Sequence, residues 1–319
     1  MGKGDKGMPK PKKLTRTARL ANKGLIHPPP WLPDNLMLEG LTGSFAYGCE
    51  DPKKADRDII GIVIPPKTVI FPHLAGYIQG FGTQPPKFDQ FQAHGIEAKD
   101  ERKTYDIAIY NIVKFFQLAM ENNPNMVEIL FLPPRCLLST SQIYDRMRQS
   151  RKAFLHKGAY HKFLGYAHSQ LKKLDAESRT NPRRQSDIER FGYDTKFGYH
   201  LVRLSYECEM IMREGDIVLD RYKEIYKSIR RGEWTKEQLR EFFDRKKAEL
   251  DKLYDDKESP IPHKPDEDKI KALLMECLEI HYGSLNTTIA KDVSVEVLLD
   301  EIEQVTSKYR KQTEGKKEM

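Results

Sequence analysis

Gly43-Ser44-Phe45-Ala46-Tyr47-Gly48, then a short polar loop, then Asp56-Arg57-Asp58-Ile59-Ile60-Gly61-Ile62-Val63-Ile64 is the stretch of this 319-residue chain that decides its fold. The β-branched run led by Asp58 and ended by Pro65-Pro66 reads as a buried strand. Side chains alternate across a pleat, so Asp56 and Asp58 point the same way and can share one metal ion or bridge two. Gly43-Ser44 falls at a turn, where glycine lets the main chain come close and where backbone N–H groups and the hydroxyl can meet phosphate oxygens. An Asp-x-Asp pair alone is common on protein surfaces. The ordered combination of Gly-Ser, a second glycine, a short loop and an acidic pair entering an Ile/Val strand is far more specific.

Outward from this stretch the chain divides by pattern. Met1 to Pro30 is rich in Lys, Gly and Pro, includes Lys10, Lys12, Lys13, Arg16 and Arg19, and closes on Pro28-Pro29-Pro30; it reads as a flexible basic arm. Lys67 to Lys103 is Gly- and Pro-rich and is expected to be an insertion of loops and short strands. Tyr105 to Ile109 alternates like a strand and passes into a helix through Ile112, Val113, Phe116 and Met120, which Asn122-Asn123-Pro124 stops. Met126 to Leu132 is a further strand-like segment. Beyond Ser139 helical patterns dominate: Ser141 to Leu174, Tyr193 to Arg213, Tyr222 to Lys227, Thr235 to Tyr254 and Asp266 to Tyr282. Thr235-Lys-Glu-Gln238 is a capping box and fixes the start of the fourth. The expected division is an arm over 1–30, an α+β catalytic domain with a small mixed sheet over 31–135, a helical domain over 136–290, and a C-terminal helix and charged tail over 291–319.

Bulk properties narrow the class. Lys and Arg total 54 against 47 Asp and Glu, a formal charge of +7 that suits an anionic partner such as a nucleotide or RNA. Cys49, Cys136, Cys208 and Cys277 form no CxxC pair or Cys/His set, which argues against zinc. No apolar run is long enough for a bilayer, and the N-terminus lacks the apolar core of a signal peptide, so a cytoplasmic protein with reduced thiols and no membrane partner is expected.

The Gly43–Gly48 and Asp56–Ile64 arrangement resembles the signature of the polymerase-β nucleotidyltransferase superfamily. Lys114-Phe115, Asn123-Pro124, Glu128-Ile-Leu-Phe131 and the helical segment with Lys196, His200 and Arg203 are similar to a branch of predicted bacterial and phage nucleotidyltransferases associated with RNA repair, over about Leu36 to Tyr282. One departure is Ala55, where many members carry Ser; that serine is not usually a metal ligand. The resemblance implies a polymerase-β-type nucleotidyltransferase domain closed by the helical domain. It also implies two Mg²⁺ ions on Asp56, Asp58 and a third carboxylate, an NTP as donor with ATP the expected one, and nucleotide transfer to an acceptor hydroxyl.

Asp106 is the preferred third carboxylate, with a helix N-cap as its plain alternative. Glu128 is the other candidate and could equally be a buried structural carboxylate, salt-bridged to a basic residue of the helical domain. Lys196, His200 and Arg203 are spaced i, i+4, i+7 on one helix face and are the phosphate-side candidates beside Gly43 and Ser44. Arg183-Arg184 and Arg230-Arg231 are weaker additions to an anion-binding surface. Net charge and the arm favour an RNA end as acceptor, with a protein side chain or a small hydroxyl compound as alternatives. The competing class is a catalytically inactive nucleotide- or RNA-binding module, against which the intact acidic pair speaks.

Overall fold

The strand led by the acidic pair is the middle one of a five-stranded mixed sheet. The computed structural model of the protein describes residues 14–50, 56–83, 87–175, 182–257, 259–283 and Thr306. The sheet half comprises α1 (Arg16–Asn22), β1 (Leu36–Leu41), β2 (Asp56–Val63), α2 (Lys67–Ile70), β3 (Gln90–Ala98), β4 (Lys103–Asn111), α3 (Ile112–Met120), α4 (Pro124–Val127) and β5 (Leu137–Thr140). The helical half follows with α5 (Gln142–Gln149), α6 (Gly158–Asp175), α7 (Pro182–Phe191), α8 (Thr195–Glu214), α9 (Lys223–Arg230), α10 (Lys236–Asp255) and α11 (Glu267–Tyr282). The strand order is β3-β4-β2-β1-β5, with β2 and β4 parallel and the other pairs antiparallel. The protein is therefore α+β with a mixed sheet and a helical C-terminal region, as the sequence pattern implies.

Alternation along β2 divides the core in two. Ile60, Ile62 and Ile64 join the large cluster built with α3, α5, α6, α8 and α10. Ile59 and Val63 face the other way, with Tyr105, Ile107 and Ile109 of β4, onto a second cluster closed by Leu20, Ile26 and Leu32. The segment before Trp31 is thus part of the fold, and the flexible-arm reading fails for residues 14–30. Two signals were hidden among its basic residues. Thr15 caps α1, and the buried Glu39 of β1 accepts hydrogen bonds from the Arg16 and Thr17 backbone N–H groups (2.6 and 2.7 Å) and from the Thr17 hydroxyl. Arg16 and Lys23 also pair with Glu101 and Asp100 in the β3–β4 turn. Residues 1–13 and the expected C-terminal helix and tail, apart from Thr306, lie outside the described residues.

Other boundaries move for identifiable reasons. Met126 to Leu132 is not a strand: α4 is followed by a 3₁₀ turn over Glu128–Phe131. Pro124 opens α4 at its first turn, and every residue from Met126 to Leu132 is buried, so the run carries no period that separates helix from strand. The expected insertion contains one nine-residue strand, β3, with a bulge at Gly95. β5 pairs with β1, so the sheet reaches past the boundary expected at Arg135. Ser141 to Leu174 is broken by a 3₁₀ turn at Arg151–Phe154 into α5 and α6, and the polar Thr180–Glu189 stretch enters helix α7. The Thr235 capping box forms as read, with both reciprocal hydrogen bonds. All four cysteines are free and buried, and among the described residues no helix is long and apolar enough to cross a membrane.

Candidate active site

β2 and β4 run parallel in a register that sets Asp58 opposite Asp106 and Asp56 opposite Thr104. Directly opposed residues of neighbouring strands project to one face, so Asp56, Asp58 and Asp106 share the face that Ile60 and Ile62 carry into the helical half. The Gly43–Phe45 3₁₀ turn sits against this cluster. Its preceding Thr42 N–H donates to the Asp58 carbonyl at 2.9 Å. Gly43 has φ +63°, and a Cβ there would lie 2.0 Å from Asp58 Oδ2. The Gly-Ser turn and the second aspartate are therefore in van der Waals contact, and only glycine permits it. Gly43→Ala is expected to abolish activity by displacing the Asp58 carboxylate while leaving a folded protein, checked by transfer assays beside circular dichroism. Ser44 is exposed on the same turn.

Burial raises the Asp58 carboxyl above its ordinary value; Lys196 opposes this, and Asp106 and Asp56 reinforce it by charge. That balance places Lys196, exposed at the start of α8, within electrostatic reach of the carboxylates. Asp106 Oδ1 accepts the Gly95 backbone N–H at 2.8 Å and lies 3.6 Å from His94 Nδ1. Among the described residues no group of three or more His, Cys, Asp or Glu side chains is gathered closely enough to hold a metal ion. The donor set itself, carboxylate oxygens beside a cradle that a Cβ would fill, suits a hard divalent cation.

Two candidates go elsewhere. The stripe Lys196, His200, Arg203 is continuous, but its depth changes: Lys196 is exposed, His200 half-buried and Arg203 1% exposed. Arg203 is not at the phosphate side. Its Nη1 bonds Glu128, both Glu207 oxygens at 3.1 Å and the Tyr47 hydroxyl at 2.7 Å, and the guanidinium lies 4.3 Å from the Tyr47 ring centroid. Glu128, on the 3₁₀ turn away from the strand register, also accepts the Tyr47 O–H. It is the buried structural carboxylate that was the second of its two readings. Burial drives the Glu207 carboxyl well above its usual range, Arg203 opposing and Glu128 reinforcing.

Residues with no role assigned from the sequence thus hold the Gly-Ser turn. Tyr47 ties it to α8. Arg135 donates to the Ala46 carbonyl at 3.0 Å while pairing with Asp220 at 2.8 Å. Gly48 rests against Lys223 and Asp220. The i, i+4 spacing of Arg203 and Glu207 was the available signal for the network. A cavity of about 590 Å³ lined by Arg213, Glu249, Lys252 and Asp256, among others, shares no residue with the carboxylate cluster.

A Gly-Ser turn pressed against the second of two strand-borne aspartates, with a third opposite on a parallel neighbour, is the arrangement expected of a polymerase-β-type nucleotidyltransferase. Residues 16–275 match the family described as RNA repair pathway DNA polymerase beta family (RlaP), and the chain belongs to that family. No curated protein sequence matches it. A solved structure, the nucleotidyltransferase-like protein from Exiguobacterium sibiricum 255-15, is similar at 10% identity and a TM-score of 0.27, over 93% of this chain and 90% of that one.

Proposed function

We propose that the protein transfers a nucleotide from an NTP, ATP first among them, to the hydroxyl of an RNA end in the cytoplasm. The observation that carries this reading is the contact between Gly43 and Asp58, which joins a phosphate-binding turn to an acidic pair aligned with Asp106. Membership of a family described by RNA repair supports RNA as the acceptor. Asp56, Asp58 and Asp106 would hold two Mg²⁺ ions. Such ions, when bound, lower the pKa of an acceptor hydroxyl and neutralise charge on the phosphates and leaving group.

The chain's own residues bind and orient. Backbone N–H groups of the Gly43–Phe45 turn and the Ser44 hydroxyl receive the β- and γ-phosphates. Lys196, facing the carboxylates from α8, and His200 one turn further along supply the opposite wall. Catalysis is positioning and electrostatics, without a histidine base. Lys196→Ala is expected to raise KM for the NTP about tenfold with a smaller effect on kcat, as loss of a charge-assisted contact does.

The test is incubation of purified protein with each α-³²P-labelled NTP, Mg²⁺ and total cellular RNA, resolved on a gel that separates labelled RNA from labelled protein. Label on RNA establishes the reading. Label on protein redirects it to protein nucleotidylation, and nucleotide binding without label points to a binding module.

A further inference from the structure

The Gly-Ser turn and α8 carry opposite walls of the proposed phosphate site but belong to different halves of the molecule. What joins them is a buried chain of hydrogen bonds. Tyr47, three residues beyond Ser44, donates its O–H to Glu128; Arg203 of α8 donates to the Tyr47 oxygen, to Glu128 and to Glu207. All four side chains are almost fully buried, with residue exposures of 3% for Tyr47, 2% for Glu128, 1% for Arg203 and 0% for Glu207. The Tyr47 N–H is bonded to the Gly43 carbonyl at 3.3 Å, so a shift of Tyr47 moves the turn itself. Arg203 lies two helical turns from Lys196 on the same helix, so the rigid rod of α8 transmits its position to the cation.

A purely stabilising role is poorly served by such a network. A buried Arg between two carboxylates seldom exceeds an apolar core of the same volume in stability, because desolvation offsets the attraction. Its particular property is geometric: the Tyr47 hydroxyl, Glu128 and Glu207 all meet the same guanidinium nitrogen, which fixes the distance between the elements that carry them.

Resting on the nucleotidyltransferase reading, we propose that Tyr47, Glu128, Arg203 and Glu207 are positioning residues that hold the Gly43–Ser44 turn at triphosphate-binding distance from Lys196. They touch no substrate. They act through the turn and through α8.

The experiment compares Tyr47→Phe with Tyr144→Phe. Both remove one buried hydroxyl: Tyr144 donates to the Ile129 carbonyl at 2.8 Å, beside Glu128 on the same 3₁₀ turn, and so reaches the network only through that backbone. Binding of α,β-methylene analogues of the four NTPs with Mg²⁺ is measured by calorimetry, with thermal midpoints and the KM and kcat of transfer. Similar losses of Tm are expected for both variants. Only Tyr47→Phe should weaken nucleotide binding, by about tenfold, with KM rising more than kcat falls. Unchanged affinity in Tyr47→Phe, or equal weakening in both variants, overturns the proposal. Wild-type protein that binds none of the analogues overturns the nucleotidyltransferase reading and this inference with it. If Tyr47→Phe does not fold, Glu128→Gln carries the same expectation and the same overturning result.

Discussion

Asp58→Asn is expected to remove nucleotidyl transfer while leaving the protein as stable as before, or more stable. If the carboxylate supports about 4 kcal/mol of transition-state stabilisation through a bound ion, its loss lowers the rate about a thousandfold. The stability side follows from the environment. Burial under Gly43, reinforced by the negative charges of Asp106 and Asp56 and opposed by Lys196, raises the Asp58 carboxyl in the folded state. A raised acid favours the protonated form on folding, so the folded state is favoured below the ordinary carboxylate range. That advantage is lost as pH rises through the folded value, and above it the penalty is constant. Asparagine carries no such penalty. The variant should therefore melt at or above the wild-type temperature at pH 7, with the difference closing in acid. A large fall in Tm at neutral pH would show that Asp58 is held by a structural partner instead.

A chain beginning at Trp31 is expected not to fold, and its failure should appear as loss of a cooperative thermal transition. Removing the preceding segment strips Leu20 and Ile26 from the second core cluster, exposes Ile59, Val63, Tyr105, Ile107 and Ile109, and leaves the buried Glu39 carboxylate without its donors. Each large apolar side chain returned to water costs about 1.5–3 kcal/mol, and an unsatisfied buried carboxylate adds several more, against a total stability of about 5–15 kcal/mol. Loss of activity in such a truncation would thus say nothing about RNA binding. A cooperative transition in the truncated chain would refute this account of the N-terminal segment.

The parts of the site that were legible in the sequence are those set by short-range rules. Period-two alternation put Asp56 and Asp58 on one face, glycine marked the turn, and the capping box fixed the start of α10. The parallel β2–β4 pairing that brings Asp106 opposite Asp58 needed the topology, although the strand itself could be read. Depth was invisible. Arg203 continues the stripe begun by Lys196, and no pattern along one helix reports where that helix sinks into the core. Glu128 was misplaced on a strand for a related reason, because a run buried on every side has no period. α1 escaped notice because its partners, Glu39 and the back of β4, are remote in sequence.

That remoteness orders events in time. Arg16 pairs with Glu101 across 85 residues of chain, and Leu20 shares its core cluster with β4 residues of similar separation. During synthesis at about 5–20 residues per second, α1 leaves the ribosome roughly 4–17 s before the surface that receives it exists. A seven-residue helix does not persist alone in water over that interval. α1 therefore waits for a surface made long after it, and until β4 emerges the back of the growing sheet stays open to chaperones and to other nascent chains.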